Sequence, residues 1–317
     1  MIIALLRVGW SFRPFRLATS LGVGEIQSMQ SAPKYRLVQL ANGVHSVRSL
    51  AEDETFHPVI GPVAEAEALY VRQLEIPERV RQTQGEFVVW DVGLGAAANV
   101  LTVLRHTASL VTPLRVISFD HLLEPLQFGL EHAGELGYFQ GYEDPVGRLL
   151  EHGLVGFQNG LQPVRWEMHL ADFPALLTQP MARGLPKPHA ILFDAYSPAT
   201  NPAMWTLPLF THLWRLLDSE RPCSLATYSR STLLRVSLLL AGFYVGAGHA
   251  TGEKEETTIA ATRLTLLREP LDRRWLGRAW RSTSAEPLVE PVYRQASLSA
   301  ENWDRLQLHR QFTHDAI

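Results

Sequence analysis

The chain has 317 residues, of which 46% are hydrophobic and 19% charged, and its formal net charge is −3. This composition fits one large α/β domain with additional segments, and it excludes a general nucleic-acid binder with a strongly basic field. The single cysteine, Cys223, excludes an internal disulfide, and no apolar run approaches the roughly 20 residues of a membrane span. A cytoplasmic location is therefore the default expectation.

The first part of the chain predicts an extension followed by a small subdomain. Residues 1–34 carry arginines among apolar residues, lack the apolar core of a signal peptide, and are expected to form a poorly ordered extension. Two alternating segments on either side of Asn42-Gly43 predict a β-hairpin. The stretch 63–74 predicts a helix, so 35–85 is interpreted as a hairpin-and-helix subdomain.

From Phe87 onward, strand and helix patterns alternate, which predicts a parallel, doubly wound α/β sheet. A helix at 232–241 and a closing hairpin give the ending that resembles class I methyltransferases, where one hairpin strand enters the sheet antiparallel. Residues 86–265 are interpreted as the cofactor-binding domain and 266–317 as a basic C-terminal tail. The predicted strands are 87–92, 115–120, 164–169, 190–194 and 224–228, then the hairpin strands 242–249 and 257–262.

The first predicted strand of this domain leads into a turn rich in small residues, Gly93-Leu-Gly95-Ala-Ala-Ala98. Its glycines let the backbone approach a ligand, but several nucleotide-binding folds share this pattern. Asp91 directly precedes the glycines, and no basic residue is placed for a phosphate. This charge pattern disfavours a pyrophosphate and favours the cationic methionyl end of S-adenosylmethionine (SAM).

Acids follow the next two strands as well. Asp120 is placed to accept the ribose hydroxyls, and Asp172 to accept from the adenine amino group. Each acid alone is compatible with a simple helix N-cap. Three acids at successive strand ends favour SAM over an NAD-type ligand or a fold that has lost its ligand.

A fourth acid, Asp194, ends the buried stretch Ala190-Ile-Leu-Phe and opens a loop punctuated by prolines. Ligands of open α/β sheets bind beyond the carboxyl ends of the strands, so Asp194 is predicted to face the reacting groups.

These motifs together resemble the MnmC-like methyltransferases of tRNA wobble-uridine modification, over roughly residues 35 to 265. The most specific stretch is Asp194-Ala-Tyr-Ser-Pro-Ala-Thr-Asn-Pro-Ala-Met-Trp205, where the family reads Asp-Gly-Phe-Ala-Pro-x-x-Asn-Pro-x-Met-Trp. Ala195 and Tyr196 replace the family's Gly-Phe, Ser197 replaces Ala, and Thr200 replaces a frequent Lys. These departures alter the shape and charge of the substrate pocket.

The resemblance implies N-methylation of the 5-aminomethyl group of a tRNA wobble uridine, giving the methylaminomethyl form, by a single-domain form without the flavin oxidase domain. A separate enzyme would then supply the aminomethyl substrate. Asp194 would accept the amine proton, with Tyr196 or the Pro198 carbonyl orienting the nitrogen. No metal site is predicted, and His57 is expected in a loop near the cofactor. The predicted cofactor contacts are Glu65, Asp91, Gly93, Gly95, Asn99, Asp120, Asp172 and Asp194.

Other functions remain open at this point. A methyl- or aminopropyltransferase for a small amine would use the same cofactor turn, with Asp53, Glu65 and Glu67 for a second ammonium. A catalytically silent scaffold is the second alternative, and a nicotinamide oxidoreductase is disfavoured by the closing hairpin.

Aromatic and basic residues also allow two interpretations each. Tyr196 is favoured as a base-stacking residue, whereas Trp205 is favoured as a core residue at the start of a helix. The arginines of the segment 268–281, with Trp275 and Trp280 between them, suit either phosphate contacts or an ordinary solvated tail packed by its tryptophans.

Overall fold

An eight-stranded sheet, covered by helices on both faces, forms the centre of the protein. The computed structural model describes residues 33–251 and 255–313, and the described residues from Lys34 onward belong to one unit. The predicted extension at 1–34 therefore lies outside the described residues, except for its last two positions. The strands are β1 (Tyr35–Gln39), β2 (His45–Ser49), β3 (Glu54–Thr55), β4 (Phe87–Val92), β5 (Leu114–Asp120), β6 (Leu154–Asn159), β7 (Gln162–Leu170), β8 (Ala190–Phe193), β9 (Ser224–Thr227), β10 (Tyr244–Gly248) and β11 (Thr257–Ala261).

Helices connect these strands, and none in the described part of the chain is long and apolar enough to cross a membrane. The predicted helix at 63–74 begins as α1 and continues in π-helical form over Glu67–Arg72. Turns of 3₁₀ type cover Pro180–Gly184, Pro202–Trp205 and Leu264–Leu266. The α-helices are α1 (Pro62–Ala66), α2 (Ile76–Gln82), α3 (Ala98–Thr107), α4 (Glu124–Glu131), α5 (Ala133–Leu136), α6 (Glu143–His152), α7 (Phe173–Thr178), α8 (Leu207–Leu216), α9 (Thr232–Ala241), α10 (Arg273–Arg281), α11 (Ala300–Gln307) and α12 (Arg310–Thr313).

The strand order of the large sheet is β10-β11-β9-β8-β4-β5-β7-β6. Strands β7, β5, β4, β8 and β9 are parallel, while β11 pairs antiparallel with both β9 and β10. The predicted class I methyltransferase fold, with its closing hairpin, is confirmed. Strand β6 was not predicted, because it is an edge strand and half of its residues are exposed.

Two apolar layers cover the faces of this sheet. Helices α1, α2, α3 and α6 bury one layer, which also takes in Tyr35 and Val47 from the predicted N-terminal hairpin. Helices α7, α8 and α9 form the other layer. The segment interpreted as a basic tail contributes α10 and α11 to this second layer, through Trp275 and Leu306. Those helices are amphipathic, so their arginines lie outside and their apolar residues pack on the core.

Asp91 lies in the centre of the sheet, on β4, and is fully buried. Its Oδ2 accepts a hydrogen bond from Ser118 Oγ (2.8 Å), and Ser118 Oγ accepts one from Trp166 Nε1 (2.9 Å). Burial raises the pKa of the Asp91 carboxyl from its ordinary value of 3.8 to about 8, although the Ser118 hydrogen bond acts in the opposite direction. The folded chain therefore holds a proton on Asp91 at neutral pH that the unfolded chain releases.

This difference predicts a pH-dependent stability. Because the folded pKa exceeds the unfolded one, Asp91 lowers the free energy of unfolding as the pH rises from about 4 to about 8. Asp91→Asn removes the ionisation at nearly constant shape, so we expect a smaller fall in melting temperature between pH 6 and pH 8 than in the wild type. Thermal unfolding across that range measures the difference. Asp304→Asn, the same change at an exposed acid, is the control; parallel curves for wild type and Asp91→Asn would contradict the prediction.

Candidate active site

A cavity of about 320 Å³ opens at the carboxyl ends of the parallel strands. Its walls come from the ends of β4, β5, β8 and β9, the loop after β7, and the segment around β3. The volume lies within the range of small-molecule sites, and the position is the one expected for a ligand of an open α/β sheet.

The turn after β4 forms the floor of this cavity. Gly93 has a φ of +90°, and a Cβ placed on it would stand 2.4 Å from the carbonyl oxygen of Asp194. Gly95 has a φ of +52° and lies under the ring of Phe56. Both glycines therefore have a steric reason to be glycine within the protein itself, and the predicted close approach of their backbone to a ligand stays a prediction.

Asp120 fixes this turn from the neighbouring strand. Its Oδ2 accepts a hydrogen bond from Gly95 N (3.0 Å), and its Oδ1 accepts from His121 N (2.8 Å). Oδ1 also accepts a hydrogen bond from Leu122 N (3.3 Å). A carboxylate has about four acceptor positions, so the free capacity is mainly on Oδ2, and the contact with ribose hydroxyls stays a prediction. The hydrogen bond that the His121 side chain makes to the Asp120 carboxylate raises the pKa of His121 at the cavity rim.

Asp172 lies on the cavity wall and also caps a helix. Its Oδ1 accepts a hydrogen bond from Ala175 N (2.8 Å) at the start of α7. The helix N-cap interpretation is therefore confirmed, and the contact with the adenine amino group stays a prediction for a side chain that lines the cavity.

Asp194 is the centre of the polar wall. Asn99, at the start of α3, donates a hydrogen bond from Nδ2 to Asp194 Oδ2 (2.7 Å), and His57 Nε2 lies 3.6 Å from the same oxygen. His57 Nδ1 is 4.0 Å from Glu65 Oε2. Segments from three parts of the chain thus meet at the Asp194 carboxylate. Asn99 and Asp194 also both line the cavity.

Asn99 Oδ1 and Tyr70 OH are among the buried polar atoms that have no hydrogen-bond partner in the described structure. Burial raises the pKa of the Tyr70 hydroxyl well above its usual value, and the charges of Asp194, Glu65 and Asp91 raise it further. Buried polar atoms are normally satisfied. Asn99 also lines the cavity, so its unpaired oxygen fits a site built to hold a polar ligand.

Not every predicted site residue reaches the cavity. Glu65, Gly93, Gly95, Asn99, Asp120, Asp172, Asp194 and Tyr196 are among the described residues that line it. Asp91 and Pro198 are outside that set. Asp91 is buried within β4, beneath the floor of the cavity, and its side chain bonds to Ser118 of the neighbouring strand β5. The geometry thus gives no support for a direct cofactor contact by Asp91, and the negative wall consists of the other carboxyl groups.

The two aromatic residues of the Asp194 loop have different surroundings. The ring of Tyr196 lines the cavity, 5.9 Å from the ring of Phe56. Trp205 is fully buried, donates from Nε1 to Tyr196 O (2.7 Å) and packs edge-on against Phe193. The core role of Trp205 is thus confirmed, although it ends a 3₁₀ turn and α8 begins two residues later, at Leu207.

Sequence reasoning missed most of the segment Glu54–His57. Its residues lie on the cavity wall, with Phe56 over Gly95, His57 beside Asp194, and Glu54 bonded to Ser197. Only the resemblance pointed to this stretch. No periodic pattern marks it, because Asp53 and His57 both have positive φ angles (+53° and +48°) and the chain turns sharply at each end.

The glycine turn predicts a specific loss of cofactor binding. Gly93→Ala places a methyl group against the Asp194 carbonyl in a backbone conformation that costs an L-residue roughly 1–2 kcal/mol, and the clash adds to this cost. We expect SAM affinity to fall at least about tenfold, measured by isothermal titration calorimetry. Gly147→Ala is the matched control, since a Cβ there meets no atom within 4 Å. Binding within twofold of wild type by Gly93→Ala would contradict the prediction.

Comparisons with known proteins agree with this geometry. A family model described as S-adenosyl-L-methionine-dependent methyltransferase matches residues 157–263. The chain is 25% identical over 225 residues to the tRNA 5-methylaminomethyl-2-thiouridine biosynthesis bifunctional protein MnmC of Pseudoalteromonas atlantica, covering 64% of this chain and 30% of the relative. It is 32% identical over 136 residues to the protein of the same name from Ectopseudomonas mendocina, covering 40% and 19%. The chain thus spans about a third of the length of the curated relatives it matches.

A solved structure supports the fold. The crystal structure of MnmC2 from Aquifex aeolicus superposes with a TM-score of 0.62 at 22% identity, covering 86% of this chain and 82% of that one. The cavity volume, the glycine turn with no room for a side chain, and the acids of the cavity wall all fit S-adenosyl-L-methionine, the cofactor that the family model names. The chain therefore has the class I methyltransferase fold, and its sequence is similar to that of S-adenosyl-L-methionine-dependent methyltransferases and of the MnmC proteins.

Proposed function

We propose that this methyltransferase acts on the 5-aminomethyl group of a tRNA wobble uridine and converts it to the methylaminomethyl form. The relatives it matches are named for the biosynthesis of tRNA 5-methylaminomethyl-2-thiouridine. The observation that carries the proposal is Asp194: a carboxylate at the end of β8, oriented by Asn99 and facing the same cavity as the glycine turn.

The chemistry requires an acid in this place. An alkylammonium has no lone pair with which to attack, so the site must bind the amine neutral or remove its proton. Asn99 occupies Asp194 Oδ2, which leaves Oδ1 to take the proton. The new N–C bond forms as the S–C bond of the donor breaks, and the amine proton goes to Asp194.

The bound cofactor supplies an electrophilic methyl group on a sulfonium. The protein would align the amine nitrogen with the methyl carbon and the sulfur, and would exclude water. Proximity of this kind can lower the activation barrier by about 7 kcal/mol or more. Gly93, Gly95 and Asp120 are proposed to hold the cofactor, with Glu65, Asn99 and Asp172. Tyr196 is proposed to orient the nitrogen or the uracil ring.

Recognition of the RNA requires aromatic and basic groups. Tyr196 and Phe56 form an aromatic pair in the cavity wall, which suits stacking on an extruded base. Of the arginines in the segment 268–281, Arg268 bonds to Glu75 and Arg273 to Phe312 O. Arg274, Arg278 and Arg281 are exposed, and we propose them as phosphate contacts.

The small-amine alternative keeps one of the three acids that it named for a second ammonium. A diamine would require a carboxylate in the cavity besides Asp194. Asp53 instead bonds to Arg48, and Glu67 lies 3.5 Å from Arg72. Only Glu65 of the three candidates is among the residues that line the cavity. A cytoplasmic location, and a separate enzyme that supplies the aminomethyl group, remain part of the tRNA proposal.

A labelled-methyl assay tests this function. Transfer from SAM to tRNA of a strain that accumulates 5-aminomethyluridine is expected for the wild type. Asp194→Asn should lower kcat at least about 100-fold, because general-base contributions are typically 10² to 10⁴, while still binding SAM.

Two controls make the assay specific. Asp304→Asn, an exposed acid in α11, should leave the transfer rate unchanged, and tRNA lacking the aminomethyl group should receive no label. Cofactor binding without transfer to the tRNA, together with transfer to free small amines, would overturn the proposal in favour of the small-amine alternative.

A further inference from the structure

Glu54 bonds to the loop that follows Asp194, from a different part of the chain. It lies on β3, and Ser197 and Thr200 both donate their hydroxyls to Glu54 Oε1, the first at 2.6 Å. Ser197 N lies 3.4 Å from Glu54 Oε2. Hydrogen bonds to an ionised acceptor are stronger than those between neutral groups, so this carboxylate is a firm attachment point for the loop.

The attachment fixes the loop at its turn. Ser197 O accepts hydrogen bonds from Thr200 N (3.0 Å) and Asn201 N (2.8 Å), and the two hydroxyls lie 3.1 Å apart. Residues on both sides of this turn line the cavity: Asp194 and Tyr196 before it, Asn201 after it. Holding Ser197 therefore sets the position of both flanks.

Glu54 is itself held rigidly. Its backbone pairs with Ser49 of β2, and Arg48 bonds to the neighbouring Asp53 and to Thr55 Oγ1 (2.9 Å). Two residues further on, Phe56 contacts Gly95 on the cofactor side. The small sheet thus links the cofactor turn to the Asp194 loop through one short segment.

We propose that Glu54 is a positioning residue that holds the loop 194–201 in the conformation in which Asp194 and Tyr196 meet the acceptor substrate. Ser197 and Thr200 are two of the four positions where this chain departs from the family pattern, and both supply hydroxyls to Glu54. For its effect on catalysis, this inference rests on the proposed function; for the conformation of the loop, it does not.

Hydrogen exchange with mass spectrometry tests the loop directly. In Glu54→Ala, amides in a peptide spanning 194–201 are expected to exchange about tenfold faster, the loss expected for hydrogen bonds to a charged group. A peptide spanning 224–228 should not change. Glu52→Ala, an exposed carboxylate two residues away, should match the wild type in both peptides.

Kinetics test the positioning role. Glu54→Ala is expected to raise KM for the acceptor tRNA about tenfold while the SAM Kd stays within about twofold. Glu54→Gln keeps an oxygen for the two hydroxyls and should recover most of the loss. A variant with both Ser197→Ala and Thr200→Ala should resemble Glu54→Ala, and combining all three changes should add nothing, because they remove the same contact.

The outcomes separate this inference from the proposed function. If the wild type methylates no tRNA, the proposed function fails, while the exchange result still decides whether Glu54 holds the loop. Unchanged exchange at 194–201 in Glu54→Ala would overturn the inference. Equal acceleration in both peptides, or additive effects of the three substitutions, would overturn it as well, since Glu54 would then act through overall stability.

Discussion

The structure depends on the contact between Gly93 and the backbone of Asp194. Strands β4 and β8 are neighbours in the sheet, and their ends approach so closely that a methyl group on Gly93 would overlap the Asp194 carbonyl. This contact places the turn proposed to hold the cofactor directly beside the acid proposed for catalysis. The relative position of these two groups is therefore set mainly by the pairing of two central strands, which lie between the two apolar layers.

Charge is distributed unevenly around this contact. Burial raises the pKa of Asp91, in the centre of the sheet, and Ser118 donates a hydrogen bond to one of its oxygens while accepting one from Trp166. Asp194, Glu65, Asp120 and Asp172 instead line the cavity. Ionised carboxylates are costly in the interior but are stabilised where donors or a cationic ligand can reach them. A site of this kind favours a sulfonium and an amine over a phosphate.

Much of the fold followed from local pattern. The central strands, the helix at 232–241 and the closing hairpin were predicted, because buried parallel strands are continuous apolar runs and their ends carry turn residues. Edge strand β6 was missed, since half-exposed residues give little periodic signal. Helices α10 and α11 were interpreted as a tail, because their few apolar residues do not show in the sequence which surface they cover. In the structure these residues pack on the second apolar layer.

By itself, the sequence determined the class I architecture, the glycine turn and the acids at the strand ends. These features are encoded by neighbouring residues, through apolar runs and the steric freedom of glycine. Only the tertiary structure decided which acids face the cavity, that His57 and Asn99 meet Asp194, and that Glu54 bonds to Ser197 and Thr200. Glu54 and Ser197 are 143 positions apart, and their contact depends on how the small sheet packs against the large one, which no local pattern encodes.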